Sequence, residues 1–171
     1  MATPPQKVIL TAVMDLLETI DGTGDWSYDL TGRVLRGPLY GSSGLDASAP
    51  VLGVYAPGQS GVVSTTRTQK STLELHIEGW VPQGADFGAT EDAVWQLQYD
   101  VGRALTIGTG LRGAVIAAAT ALGVSAPAGY NAAITQIPSP RVHGDAETGD
   151  ALLHLHLVYR VDFDLRLDGS A

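Results

Sequence analysis

His154 and His156 stand two apart in the run Ala151–Leu167, ALLHLHLVYRVDFDLRL. Imidazoles at that spacing fall on one side of a strand, which is how some strand-borne metal sites begin. His76 stands between Glu74 and Glu78 in STLELHIEGWVP, again at alternate positions. Were the two strands neighbours, imidazoles and carboxylates would gather into a ligand set for zinc, iron or manganese. The metal-dependent enzyme this implies would rest on His154, His156 and His76. Both sets, however, alternate with apolar residues and so occupy the wet face of each strand, where polar pairs ordinarily balance one another. The expected state is a solvated or intersubunit polar face, with no metal and no cofactor.

Other motifs have plainer accounts than their chemical ones. Gly108, Gly110 and Gly113 spell GxGxxG in TIGTGLRGAV. A dinucleotide loop needs a strand before it, a helix after it and an acid about 20 residues on. Here a helical pattern precedes the glycines and the region around Tyr130 offers no carboxylate, so a helix-to-helix turn is expected. Gly41-Ser42-Ser43-Gly44 and Gly58-Gln59-Ser60-Gly61 lack the GxSxG spacing of a nucleophile elbow and read as turns. Asp162 and Asp164 share a strand face, as a paired-acid hydrolase would require. Arg160 and Arg166 flank them, and charge balance across a sheet accounts for the group. No enzymatic activity is expected.

Hydrophobic period gives the elements that position these residues. In Ala151–Leu167 the odd positions from Leu153 to Leu167 are apolar and the even ones mostly polar, the pattern of a strand with one buried face. Straight, it would reach about 55 Å at roughly 3.3 Å per residue, too long for a domain whose radius of gyration is about 15 Å. It must bend, or run past the body and pair with something outside, which points to assembly before catalysis. Leu73, Leu75, Ile77 and Val81 alternate with Thr72, Glu74, His76 and Glu78 in a second strand. Val51–Tyr55 predicts a short strand, Trp26–Arg36 a strand or short hairpin, and Gly37–Pro50 a loop.

Helical spacing puts Ile9, Leu10, Val13, Leu16, Leu17 and Ile20 on one face of a first helix, capped by Thr3 ahead of Pro4 and Pro5 and stopped at Asp21-Gly22. A second helix starts at a Thr90 cap, with Glu91 and Asp92 at its dipole, and buries Val94, Leu97, Val101, Ala104 and Leu105. A third, Leu111–Leu122, turns Val115, Ile116, Ala119 and Leu122 to one side. Residues 56–71 form a polar, flexible arm, either a hairpin tip or partly disordered. Residues 123–149 form an irregular connection, with a short strand at Ala132–Ile137 that Pro138 and Pro140 end or confine to an edge. The sum is one α+β domain over residues 1–171. Its mixed, mainly antiparallel sheet of about four to five strands is packed by two long helices, with a long hairpin or arm and a short third helix.

Composition narrows the function. The chain has no cysteine, which removes disulfides and thiolate chemistry and fits a reducing compartment. Its net charge of −8 is evenly spread, with nine acids and five bases in residues 1–90 and the same in 91–171. Without a basic tract, tight binding to nucleic acid is not expected, although an acidic surface could face DNA as a repelling wall. The first twenty residues lack a signal-peptide pattern and their apolar run is broken by Thr11, Asp15 and Glu18, so neither secretion by that route nor a membrane span is expected. Charged residues are 16% of the chain while it holds 21 Gly and 9 Pro, leaving a surface of small uncharged side chains that neighbouring subunits could cover.

An amphipathic helix, a glycine-rich hairpin region, STLELHIEGWVP, the helix ATEDAVWQLQYDVGRAL and the closing strand LHLHLVYRVDFDL follow one another in this order. The order resembles that of tail terminator, or tail completion, proteins of long-tailed bacteriophages, over about Val8–Ile107 and Leu152–Leu167. The resemblance implies a virion structural protein, assembled in the host cytoplasm. It would form a homo-oligomeric, hexameric ring that caps the tail tube protein, ends tube elongation and offers its other side to the head-tail connector or neck protein. DNA would pass through without specific binding, and no membrane would be involved. The expected subunit or partner contacts are Gln59, Arg67 and Lys70 on the arm and Arg160, Asp162, Asp164 and Arg166 towards the end of the last strand. Another neck or head-completion subunit is the alternative within this class, and the His/carboxylate metal enzyme the alternative outside it.

Overall fold

The computed structural model describes residues 4–39, 48–63, 68–82, 87–106, 110–121, 133–144 and 153–166. In chain order these form α1 (Pro5–Leu17), β1 (Val34–Arg36), β2 (Val51–Val63), β3 (Thr68–Val81), α2 (Phe87–Thr106), α3 (Gly110–Ala121), β4 (Ala133–Gly144) and β5 (Leu153–Arg166). The strands make one sheet in the order β1-β2-β3-β5-β4. Only the three-residue β1 pairs in parallel; the other three pairings are antiparallel. The expected α+β class, mixed sheet, long hairpin and short third helix are all present.

The two alternating segments form neighbouring strands. β3 and β5 pair over their whole lengths, from Thr68↔Arg166 to Val81↔Leu153. Because successive side chains leave a strand on opposite sides, this register puts Leu73, Leu75 and Ile77 on the same face as Leu155, Leu157, Tyr159, Val161 and Phe163, and all are buried. α2 packs on β3 and β5 there, α1 packs on β1 and β2, and α3 packs on α1 and α2. The helices contribute Ile9, Val13, Leu17, Val94, Leu97, Val101 and Val115 to one continuous core. Gly79 sets how closely α2 can approach, since a Cβ there would lie 3.1 Å from both Leu97 and Leu52.

Several expectations change. β5 is flanked by β3 along its whole length and by β4 over Leu153–Asp162, so most of this long strand is paired within the chain and its length alone no longer requires an outside partner. The short strand expected to stop near Ile137 continues to Gly144, and the register slips between Ile137 and Arg141. Pro138 and Pro140 are tolerated because they fall in that irregularity on an edge strand, where the missing N–H groups break no ladder. Residues 56–63 and 68–71 of the arm are strand, in a hairpin whose register shifts between Tyr55 and Gly58.

Helix boundaries also move. α1 is capped at Pro4, with Pro5 in its first turn, and ends at Leu17 rather than Asp21-Gly22. α2 begins at Phe87, so Thr90 lies inside the helix, where it is buried, and Glu91 and Asp92 follow the first turn. Ile116 is half exposed while Leu111 and Ala118 are buried, so the inner face of α3 is rotated from the expected one. Trp26–Arg36 yields only β1, preceded by an isolated bridge between Asp21 and Asp29. No single helix among the described residues is long and apolar enough to cross a membrane.

Candidate functional site

The face of the sheet away from the helices carries the polar half of each alternation. Tyr55 on β2 is opposite His76 on β3, and Glu78 on β3 is opposite His156 on β5. His76 and His156 are therefore diagonal neighbours, close enough on a sheet for long side chains to meet. Their rings lie 5.0 Å apart between centroids, and Tyr55 flanks His76 on its other side at 5.1 Å.

Hydrogen bonding orders this cluster. His76 Nε2 lies 2.9 Å from Glu74 Oε1, and His76 Nδ1 lies 2.9 Å from His156 Nε2. An ionised carboxylate only accepts, so His76 carries its proton on Nε2 and donates it to Glu74. In neutral His76 the Nδ1 lone pair then accepts from His156 Nε2–H. Glu74 is half exposed at 52% while His76 is 15% exposed, so the chain runs from solvent into the sheet.

A second network lies beside the first. Glu78 is buried, and a buried carboxylate is costly unless hydrogen-bonded. Tyr55 Oη–H donates to its Oε1 at 2.6 Å and the Leu39 N–H to its Oε2 at 2.9 Å. The Gly37–Leu39 segment crosses directly over Gly53, where a Cβ would come within 2.6 Å of the Gly37 carbonyl and 2.8 Å of Leu39 Cγ. Gly53 thus lets this segment settle on the sheet and close over Glu78.

The sequence-derived candidates separate into two places. His76 and His156 meet as described, with Glu74 at the outer end, whereas Glu78 is committed to Tyr55 and Leu39. His154 is the register partner of Trp80 on β3 and of His143 on β4. Among the described residues no group of three or more His, Cys, Asp or Glu could hold a metal ion; Glu74 and His156 lie on different nitrogens of His76, in a chain and not around a common centre.

The proposed contact residues lie along the other half of the ribbon. Lys70, which is exposed, is opposite Asp164, and Thr68 is opposite Arg166. Gln59 is opposite Leu73 on the same hairpin. Arg160 is exposed opposite Glu74, and exposed Asp162 accepts from Thr72 Oγ1 at 2.5 Å. Arg67 lies outside the described residues. The hairpin and the end of β5 are therefore one three-stranded surface.

Sequence reasoning missed two buried or half-buried polar groups. Tyr55 was only the end of a short apolar strand, and its hydroxyl gains a role from a register that the hairpin sets. Asp100, fully buried on α2, accepts from the Ser27 N–H at 2.9 Å and from Gln96 at 3.3 Å. Beside it, Arg103 binds Asp25 at 2.8 Å and lies 4.8 Å over the Trp26 ring, tying that loop to α2. Only the spacing of Gln96 and Asp100 on one helix face was available as a signal.

No family model matches the sequence, and no curated protein matches it.

Proposed function

We propose that the protein is a structural virion subunit of the tail terminator type, forming a ring that caps a phage tail tube and presents a surface for head-tail joining. The observation that carries this proposal is the order and pairing of elements. An N-terminal helix, a long β2–β3 hairpin and a 20-residue α2 are followed by a closing strand that returns beside the hairpin, the order on which the family resemblance rests. β1 and β4 are the two edges of the sheet, and edge strands are natural places for another chain to pair or pack. Trp95 and Tyr99, one turn apart on α2, are 56% and 62% exposed. Large aromatic side chains left in water together are characteristic of surfaces that meet other proteins. These features replace the length of β5 as support for assembly.

Negative-stain microscopy with light scattering on the purified chain tests the proposal. The expected result is a closed ring with a central opening and a mass several times the 17.8 kDa of one chain. A stable monomer at micromolar concentration overturns it. Shortened tubes when tail tube protein polymerises beside the ring separate a terminator from another neck subunit.

A further inference from the structure

The two margins of the sheet are guarded along one half of their length and open along the same other half. β1 covers the outer side of β2 only from Leu52 to Val54, and Pro57 falls in the register shift that follows. From Gly58 to Val63 no strand among the described residues lies on that side. At the opposite margin β4 is the end strand, interrupted by Pro138 and Pro140 in its slip between Ile137 and Arg141 and open over Ala133–Ile137. Neither open stretch contains a charge or a proline, the usual guards of an exposed edge. Register brings the two stretches level, because Gln59 on β2 is opposite Leu73, Leu73 is opposite Val161 on β5, and Val161 is opposite Ile134 on β4.

We infer that β2 over Gly58–Val63 pairs with β4 over Ala133–Ile137 of a second copy of this chain, continuing one antiparallel sheet from subunit to subunit. The inference rests on the ring reading for its head-to-tail repetition and adds which strands meet. β2 and β5 both run antiparallel to β3, and β4 runs antiparallel to β5, so β4 is antiparallel to β2. A copy carried alongside by rotation about an axis along the strands keeps that sense, which is the more stable pairing. Backbone phase agrees. The Leu52 N–H donates to the Arg33 carbonyl and the Val54 carbonyl accepts from the Gly37 N–H, so Leu52 and Val54 turn towards β1. Their β3 partners Gly79 and Ile77 then turn towards β5, since antiparallel pairs alternate between bonded and non-bonded. Carried along each strand, this alternation directs the backbone groups of Gln59, Gly61 and Val63 out of β2 and those of Ile134 and Gln136 out of β4. Gln59 and Ile134 thus stand at one level, aimed outward on opposite margins, where Gln59 of one copy and Ile134 of the next can exchange both N–H···O=C bonds. A foreign strand needs only one open margin, whereas two margins matched in level, sense and phase fit a repeat of the same chain.

The test is disulfide cross-linking of the full-length chain, which has no cysteine of its own. A Cβ at Gly58 meets nothing within 4 Å, and Gly58 is level with Thr135 through Glu74 and Arg160. Co-expressed chains carrying Gly58→Cys and Thr135→Cys should give a linked two-chain product on mild oxidation, and the double variant a series of ascending mass. Either single variant alone, or Gly58→Cys with Thr135 replaced as the second site by the exposed Thr120→Cys, should give at least tenfold less. Adding Gln59→Pro to the double variant removes an outward N–H but no bond between β2 and β3. It should cut the linked yield at least tenfold with an unchanged circular dichroism spectrum. In the unmodified chain, amide exchange over residues 58–63 and 133–137 should be at least tenfold slower in the assembled form than after dilution to monomer, a reading that no misfolded variant can obscure. Equal linkage from Gly58→Cys alone, or an assembled particle without the linkage or the protection, overturns the inference and leaves the ring reading standing. Linked chains that do not close support the inference and count against the ring, and a chain monomeric at micromolar concentration overturns both.

Discussion

The two faces of the β3–β5 ribbon are built from the same residues in alternation, yet they solve different problems. On the helix side Leu75, Ile77, Leu155 and Leu157 are at most 1% exposed and pack against α2. On the other side Glu74, Arg160 and Asp162 are exposed, and order comes from discrete hydrogen bonds among Glu74, His76, His156, Tyr55 and Glu78. Apolar burial is non-directional and scales with area, so the first face gains stability without requiring particular partners. A polar cluster gains little net stability per bond but fixes which atoms meet. The helix-covered face therefore holds the fold, and the uncovered face is where binding chemistry can be placed at low cost to stability.

This division can be broken most forcefully from the covered side. Leu157→Ala removes a side chain that is 1% exposed in the centre of the core. It should cost about 2–5 kcal/mol, measured as a drop in unfolding free energy by urea denaturation. A loss below about 1 kcal/mol would mean that the face is not packed as described.

A smaller effect probes the patch of the polar face that the Gly37–Leu39 segment covers. Gly53→Ala drives a Cβ into the Gly37 carbonyl and Leu39, and should cost about 1–3 kcal/mol by the same measurement. It should also loosen the Gly37–Leu39 segment, seen as faster amide exchange at Leu39, whose N–H is donated to Glu78.

The smallest effect sharpens the contrast from within the core. Tyr159 is buried with its hydroxyl unpartnered among the described residues, and burial pushes its phenol up to about 12. Tyr159→Phe should leave stability at neutral pH unchanged or raise it by about 1 kcal/mol, because no made bond is lost. The sign with pH follows from linkage. The folded chain holds the phenol proton more tightly than the unfolded chain, whose value is near 10, so stability present below about pH 10 falls as pH rises towards about 12. The Phe variant should lack that part of the decline in a pH series of thermal midpoints.

How far each feature could be read locally depended on whether its cause was local. The apolar sets of β3 and β5 and the buried stripe of α2 were legible because each follows from the geometry of its own segment. β4 was not, since Pro138 and Pro140 signal a break unless the strand is known to lie at an edge and to slip register there. The contact between His76 and His156 needed the offset between two strands separated by 80 residues. His143 drew no notice because its position beside His154 exists only once β4 has paired with β5. Asp100 is buried only because the chain near Ser27 folds against it.

The sequence by itself determined which face of each strand and helix turns inward, because side-chain direction repeats with the backbone period and water rejects the apolar set wherever the element lies. Only the tertiary structure decided that β5 sits between β3 and β4, which pairs most of a long strand within its own chain and brings His76 against His156. Pairing order is a competition among distant segments for the same backbone hydrogen bonds, and no local period records its outcome.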